Sequence, residues 1–233
     1  MYLIDPYGRK INYLRLSVTD RCNLRCRYCM PETGIDKRNH HEILSFEHLY
    51  DIAAAATSLG VEKIRVTGGE PLVRKGLLPF LERLSGLAGL RELVLTTNGT
   101  LLSSMAYSLR DAGVKRLNIS LDSLQPDTFR QITRQGYLAD VFAGIESAED
   151  AGLPVKLNTV IMRGVNDTEI LDFVRLTEKS PVSVRFIEYM PVIKESGWQS
   201  LVFSGSEILE KVSADYEVEA LQAGERCGPA KMY

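Results

Sequence analysis

Three of the four cysteines fall within eight residues, as Cys22, Cys26 and Cys29 in TDRCNLRCRYCMP. Thiols spaced C-x-x-x-C-x-x-C cannot all pair with one another as disulfides, and MYLIDPYGRK does not read as a signal peptide leading to an oxidising compartment. Incidental buried or redox-active thiols are one reading, and it suits the isolated Cys227. Structural zinc is another, but it normally takes four protein ligands, and Cys227 stands far along the chain with no partner spacing. A three-thiolate site with an open position fits chemistry better. A cubane 4Fe–4S cluster usually takes four cysteines, so three leave one iron free for another ligand. Arg21, Arg25 and Arg27 flank the thiols and are expected to favour their thiolate forms.

The elements around this triplet alternate. Short β-branched runs at 14–19, 63–69, 92–99, 116–122, 154–161 and 182–190 are separated by helical stretches at 46–59, 76–87, 103–112, 138–151 and 167–179. Gly60, Gly113 and Gly152 sit where a helix stop wants glycine. Such alternation indicates βαβ units and a parallel sheet.

The strands are two-faced. Arg15, Ser17 and Thr19 share one side of the first; Arg65, Thr67 and Gly69 share one side of the second. Thr96 and Asn98, then Asn118, Ser120 and Asp122, then Lys156 and Asn158 continue the polar face, opposite aliphatic neighbours. Strands covered on both sides read as continuous apolar runs, and a filled barrel packs bulky aliphatics inside. The expected fold is therefore α/β: a partial, open (β/α)6 TIM-like barrel of parallel strands whose polar interior holds a polar ligand.

Composition sets outer limits. A chain of 233 residues, 45% hydrophobic and 25% charged, is long enough for one large domain or two small ones. A net charge of -2 gives no basic footprint for nucleic acid. No run of about 20 apolar residues offers a membrane span, and a cytoplasmic location is expected. His40, His41 and His48 have no ligand spacing and are read as surface residues without a metal role.

The cysteine loop, with Tyr28 before its third cysteine, resembles the signature of the radical S-adenosylmethionine enzymes, and Gly68-Gly69-Glu70-Pro71 resembles their GGEP motif. The resemblance implies a 4Fe–4S cluster on Cys22, Cys26 and Cys29. Its open iron chelates S-adenosylmethionine, whose reductive cleavage yields a 5′-deoxyadenosyl radical. It also implies that the backbone and Glu70 of GGEP meet the cofactor's amino group. LRLSVTDRCNLRCRYCMP, KIRVTGGEPLVR, LTTNGTLL, LNISLDSL, VKLNTVIMRGVND, VRFIEYMP and the terminal GPAKMY, in that order, look like the GTP 3′,8-cyclase family of molybdenum-cofactor biosynthesis. Members of that family take a ribose 3′ hydrogen from GTP and close the sugar onto guanine C8.

Carried over residue by residue, the family's cofactor contacts fall on Tyr28, Gly69, Ser120 and Met190. Its GTP contacts fall on Arg15, Arg65, Thr96 and Lys156, three of them cations already found on the polar face. The resemblance further implies an electron donor and leaves a homodimer open. It divides the chain into a barrel core at 1–190 and an extension at 191–233. That extension leads toward a second three-cysteine cluster region, which this sequence is expected to lack. Other enzymes of the superfamily acting on anionic substrates, or a non-catalytic nucleotide- or partner-binding relative, share the same barrel.

Overall fold

The computed structural model describes residues 2–35, 42–192, 196–221 and 230–233. Cys227, His40 and His41 lie outside these residues; His48 is in the first turn of a helix, its amide bonded to the Ser45 hydroxyl. Six parallel strands lie side by side in chain order: β1 (Tyr13–Ser17), β2 (Lys63–Thr67), β3 (Glu92–Thr97), β4 (Arg116–Ser120), β5 (Val155–Ile161) and β6 (Ser183–Glu188). An order that never doubles back means each crossover turns the same way, and right-handed crossovers put the helices on one side. A doubly wound sheet reverses its order and covers both faces. Here β1 and β6 stay unpaired with each other, giving the open (β/α)6 arrangement expected.

The aliphatic half of each strand is the half under the helices. Ile64, Val66, Leu93, Leu95, Leu117, Ile119 and Leu157 are at most 2% exposed. They meet α1 (Phe46–Ser58), α2 (Leu77–Ser85), α3 (Ala106–Asp111) and α5 (Leu138–Asp150) in one core, with Phe173 of α6 (Ile170–Lys179). Helix α1 starts at Ser45, whose hydroxyl accepts the His48 amide, and runs on through four alanines. Gly60, Gly113 and Gly152 follow their helices at φ of 93°, 90° and 72°, the left-handed turn a helix end demands. Among the described residues, no helix is long and apolar enough to cross a membrane.

Two helices are not among the sequence expectations. Helix α4 (Pro126–Thr133) opens on proline at its first turn and buries Phe129, Ile132 and Thr133. Helix α7 (Gly205–Ser213) is held by a reciprocal cap between Ser204 and Glu207. It packs Ile208, beside Phe203, onto Ile161 and Ile170. Several strands also stop short of their expected ends. Gly68-Gly69, Asn98-Gly99 and Leu121-Asp122 lie beyond β2, β3 and β4, in turns along the carboxyl edge of the sheet. That edge is where a barrel of this kind carries its chemistry.

Candidate functional site

The cysteine loop leaves β1 and is stitched to the carboxyl edge at four places. Gly69 and Glu70 donate their amides to the carbonyls of Thr19 and Arg21, both at 2.7 Å. The approach is so close that a Cβ on Gly68 would stand 2.6 Å from the Thr19 oxygen, and one on Gly69 would overlap the Arg21 carbonyl. Helix α4 supplies the second seam: Arg25 and Arg27 donate their amides to Thr133 and Ile132 at 3.0 and 2.9 Å. Arg134, at φ 60°, donates from Nη1 to the carbonyls of Arg25 and Met30 at 3.0 and 3.1 Å. The third is the Tyr28 hydroxyl, donating to Asp122 Oδ2 at 2.7 Å. The fourth is Asn98, whose Nδ2 donates to Asn23 Oδ1 at 2.8 Å and to Cys22 Sγ at 3.8 Å.

Within this frame Cys22, Cys26 and Cys29 are free thiols. Burial pushes all three up, Cys26 furthest, and like-charge repulsion adds to it, from Glu70 and Cys29 at Cys22, from Asp122, Cys22 and Cys29 at Cys26, and from Asp122 at Cys29. The flanking arginines do not reverse this, which corrects the expectation drawn from their proximity in sequence. Arg25 Nη1 is spent on the carbonyls of Cys22 and Leu24, at 2.6 and 2.8 Å. Among the described residues no three His, Cys, Asp or Glu side chains converge on a single ion, as zinc with sulfur bonds of about 2.3 Å requires. A cubane gives each cysteine its own iron and accepts sulfurs set further apart. Three free thiols on one anchored loop fit such a cluster, whose iron would supply the positive charge that releases their protons.

Glu70 is held by the protein's own donors. It is fully buried, and its carboxylate accepts from the Leu72 amide (3.0 Å), the Thr97 hydroxyl (2.8 Å) and the Asn98 amide (2.6 Å). Those bonds favour the charged form while burial, the larger effect, pushes the group up. The side chain thus ties the turn after β2 to the end of β3, while the backbone of the motif hydrogen-bonds to the loop.

Below the loop, strand register sorts the polar face into rows. Arg15 lies beside Arg65, Arg65 beside Val94, and Val94 beside Arg116. The next row runs Thr96, Asn118, Lys156, Ser183, and the one after it Ser120, Asn158, Arg185. Arg116 pairs with Glu92 at 3.1 Å, whereas Arg15, Arg65 and Arg185 have no ion-pair partner among the described residues. Burial lowers Arg65 most, opposed by Tyr13 and reinforced by the like charges of Arg15, Arg185 and Arg116. Arg65 Nε, Thr96 Oγ1, both amide atoms of Asn118 and Asn158 Oδ1 are shielded from solvent with no hydrogen-bond partner. Each such group costs about 1–3 kcal/mol unless something pairs with it. A face built this way suits a polar, anionic ligand.

The residues singled out from sequence occupy two levels of this site. Tyr28, Gly69, Ser120 and Met190 are on the carboxyl rim, with Ser120 the last residue of β4 and Met190 68% exposed just past β6. Met190 is thus no core methionine, and the Tyr28 ring packs with Ile132, Met162 and Tyr189. Arg15, Arg65, Thr96 and Lys156 stand deeper, within β1, β2, β3 and β5. Sequence reasoning missed Asn98, Asp122 and Arg134 as anchors of the loop, and Arg116 and Arg185 on the cationic face. Period two extended to the sixth strand would have exposed Arg185.

Comparison with known proteins bears on the family and the fold. The family model described as the Radical SAM superfamily matches residues 16–177. The chain is 61% identical over 232 residues to a GTP 3′,8-cyclase of Geobacter sulfurreducens, covering 99% of this chain and 71% of that one. It is 52% identical over 234 residues to a GTP 3′,8-cyclase of Peptoclostridium acidaminophilum, with the same two coverages of 99% and 71%. Among solved structures it resembles TYW1 with a lysine-pyruvate adduct bound, at TM-score 0.62 and 18% identity, over 92% of this chain and 77% of that one. Streptococcus suis SuiB bound to S-adenosylmethionine gives TM-score 0.64 and 18% identity, over 87% and 44%. At such identities these two likenesses concern the fold.

Proposed function

Since this chain belongs to the radical SAM superfamily and, within it, to the GTP 3′,8-cyclase family, we propose that it converts GTP to (8S)-3′,8-cyclo-7,8-dihydroguanosine 5′-triphosphate in molybdenum-cofactor biosynthesis. Cys22, Cys26 and Cys29 hold the 4Fe–4S cluster, and Tyr28, Gly69, Ser120 and Met190 border S-adenosylmethionine. When bound, that pair supplies one-electron reductive chemistry that removes a hydrogen atom from the substrate. Residues 1–190 carry this core, and residues 191–233 extend from it.

The observation that carries the reading is the cationic face directly inside the cysteine loop. Arg15, Arg65 and Arg185 lack carboxylate partners among the described residues and repel one another at Arg65, so a triphosphate relieves the repulsion as it binds. Arginine's forked donors suit phosphate oxygens, and Lys156 adds a point charge. Thr96, Asn118 and Asn158 offer a hydroxyl and amides to the neutral parts of the nucleotide. Fixing the ribose against the rim is the protein's main task, because orientation carries much of the rate of such a reaction. The chemistry also requires an electron donor.

The test is anaerobic reconstitution followed by incubation with S-adenosylmethionine, a reductant and GTP. The proposal expects about one 4Fe–4S cluster on this loop and GTP-dependent formation of the cyclised nucleotide together with 5′-deoxyadenosine. Cofactor cleavage with GTP left intact would overturn the substrate. Tight zinc with no iron uptake would overturn the cluster.

A further inference from the structure

One sulfur of the triplet differs from the other two. Cys22 Sγ accepts the Leu24 amide at 3.3 Å and the Asn98 Nδ2 group at 3.8 Å, whereas Cys26 and Cys29 receive no side-chain hydrogen bond from a described residue. The orientation of Asn98 is fixed by its surroundings. Its Oδ1 accepts both the amide and the hydroxyl of Thr100, at 3.0 and 2.7 Å, so its Nδ2 has to face Asn23 and Cys22. Asn23 closes the ring by donating to the Thr100 hydroxyl at 2.8 Å. The Asn98 amide in turn donates to buried Glu70 at 2.6 Å. A line of hydrogen bonds therefore runs from the glutamate of the GGEP turn, through Asn98, to one cysteine of the loop.

We propose that Asn98 is a positioning residue that sets the reduction potential of the cluster through its hydrogen bond to Cys22 Sγ. The inference rests on the cluster reading above. Its physical basis is general: a donor aimed at a ligating sulfur withdraws electron density from the iron and raises the potential. A thiolate accepts more strongly than a thiol, so the contact strengthens once iron is bound. The bond also makes the three cysteine corners inequivalent, favouring electron density at the Cys22 corner. Asn98 is 9% exposed and Glu70 0%, so little water competes for the sulfur on that side.

The experiment is a redox titration of the reconstituted full chain, followed by electron paramagnetic resonance. Parent, Asn98→Ala and Thr100→Val are compared at matched iron and sulfide content. Asn98→Ala is expected to have a lower midpoint, with the reduced-to-oxidised ratio at the parent's midpoint falling about tenfold, the scale of one charge-assisted hydrogen bond. Thr100→Val leaves the donor in place but frees it to turn, and a smaller shift in the same direction is expected. Equal midpoints at equal cluster content overturn the proposal, because a merely structural role changes how many clusters form and not their potential. Should Asn98→Ala hold no cluster, an unshifted midpoint in Thr100→Val overturns it alone. A parent that assembles no cluster overturns the cluster reading instead, so the two failures are distinct.

Discussion

The Tyr28 hydroxyl donates to Asp122 Oδ2 at 2.7 Å across 94 positions of sequence, joining the loop after β1 to the turn after β4. Asp122 is 5% exposed and also accepts the Val160 amide at 2.8 Å through Oδ1. Asn166, 0% exposed, donates to the Asp122 carbonyl at 2.5 Å and holds that turn against β5. The cysteine loop thereby inherits the rigidity of the sheet. Tyr28→Phe removes the donor and leaves a buried carboxylate oxygen unpaired. A loss of about 1–3 kcal/mol is expected, measured by urea unfolding of the metal-free chain.

Gly69→Ala is expected to damage the site more than its size suggests. The added methyl overlaps the Arg21 carbonyl and lies 2.8 Å from the Asp20 oxygen, both backbone atoms that cannot swing aside. The loop must lift, and iron content after reconstitution should drop severalfold. Gly86→Ala is the control, since its Cβ meets nothing nearer than 3.6 Å, and its iron content should match the parent's.

Arg65→Ala should weaken GTP binding about 10–100-fold, the worth of charge-assisted hydrogen bonds to phosphate. Equilibrium dialysis with labelled GTP checks this, and equal binding by variant and parent would count against the cationic face as the substrate site.

Asn118→Leu should separate stability from binding. Both amide atoms of Asn118 are buried without partners, so an apolar side chain of similar size removes a desolvation cost of about 1–3 kcal/mol. The ligand-free variant should melt higher than the parent and bind GTP more weakly. A lower melting temperature would mean that Asn118 is already satisfied without ligand.

Glu207 provides a pH test away from the site. The Arg163 side chain, then the Ser204 amide and hydroxyl, hold its carboxyl down at about 2, from an ordinary 4.5. A lowered acid contributes stability fully present above about pH 4.5, lost as pH falls toward 2. The difference in urea midpoint between parent and Glu207→Gln should therefore shrink between pH 5 and pH 3. Added salt should reduce it too, because the pair is exposed.

The sheet was legible because alternation survives in each strand: Ile64 and Val66 against Arg65, Leu117 and Ile119 against Asn118. The cysteine loop was legible from its spacing. What holds the loop was not. Helix α4 is only eight residues, too short for a periodic signal to stand out. Arg134 reaches Arg25 and Met30 across 109 and 104 positions, and one sequence carries no trace of such a pairing. Adjacency misled in the opposite direction: Arg25 neighbours Cys26 in the chain, yet its guanidinium turns to backbone carbonyls. The division at residue 190 has a sequence rationale only, while Ile208 of α7 joins the cluster around Ile161 and Ile170.

The unpaired edges of the sheet have a mechanical meaning. Arg15 is on β1 and Arg185 on β6, at the two ends of a hoop that no backbone hydrogen bond fastens. A ligand that met both arginines would bridge the two strands that no ladder joins, so the cationic face spans the full width of the sheet.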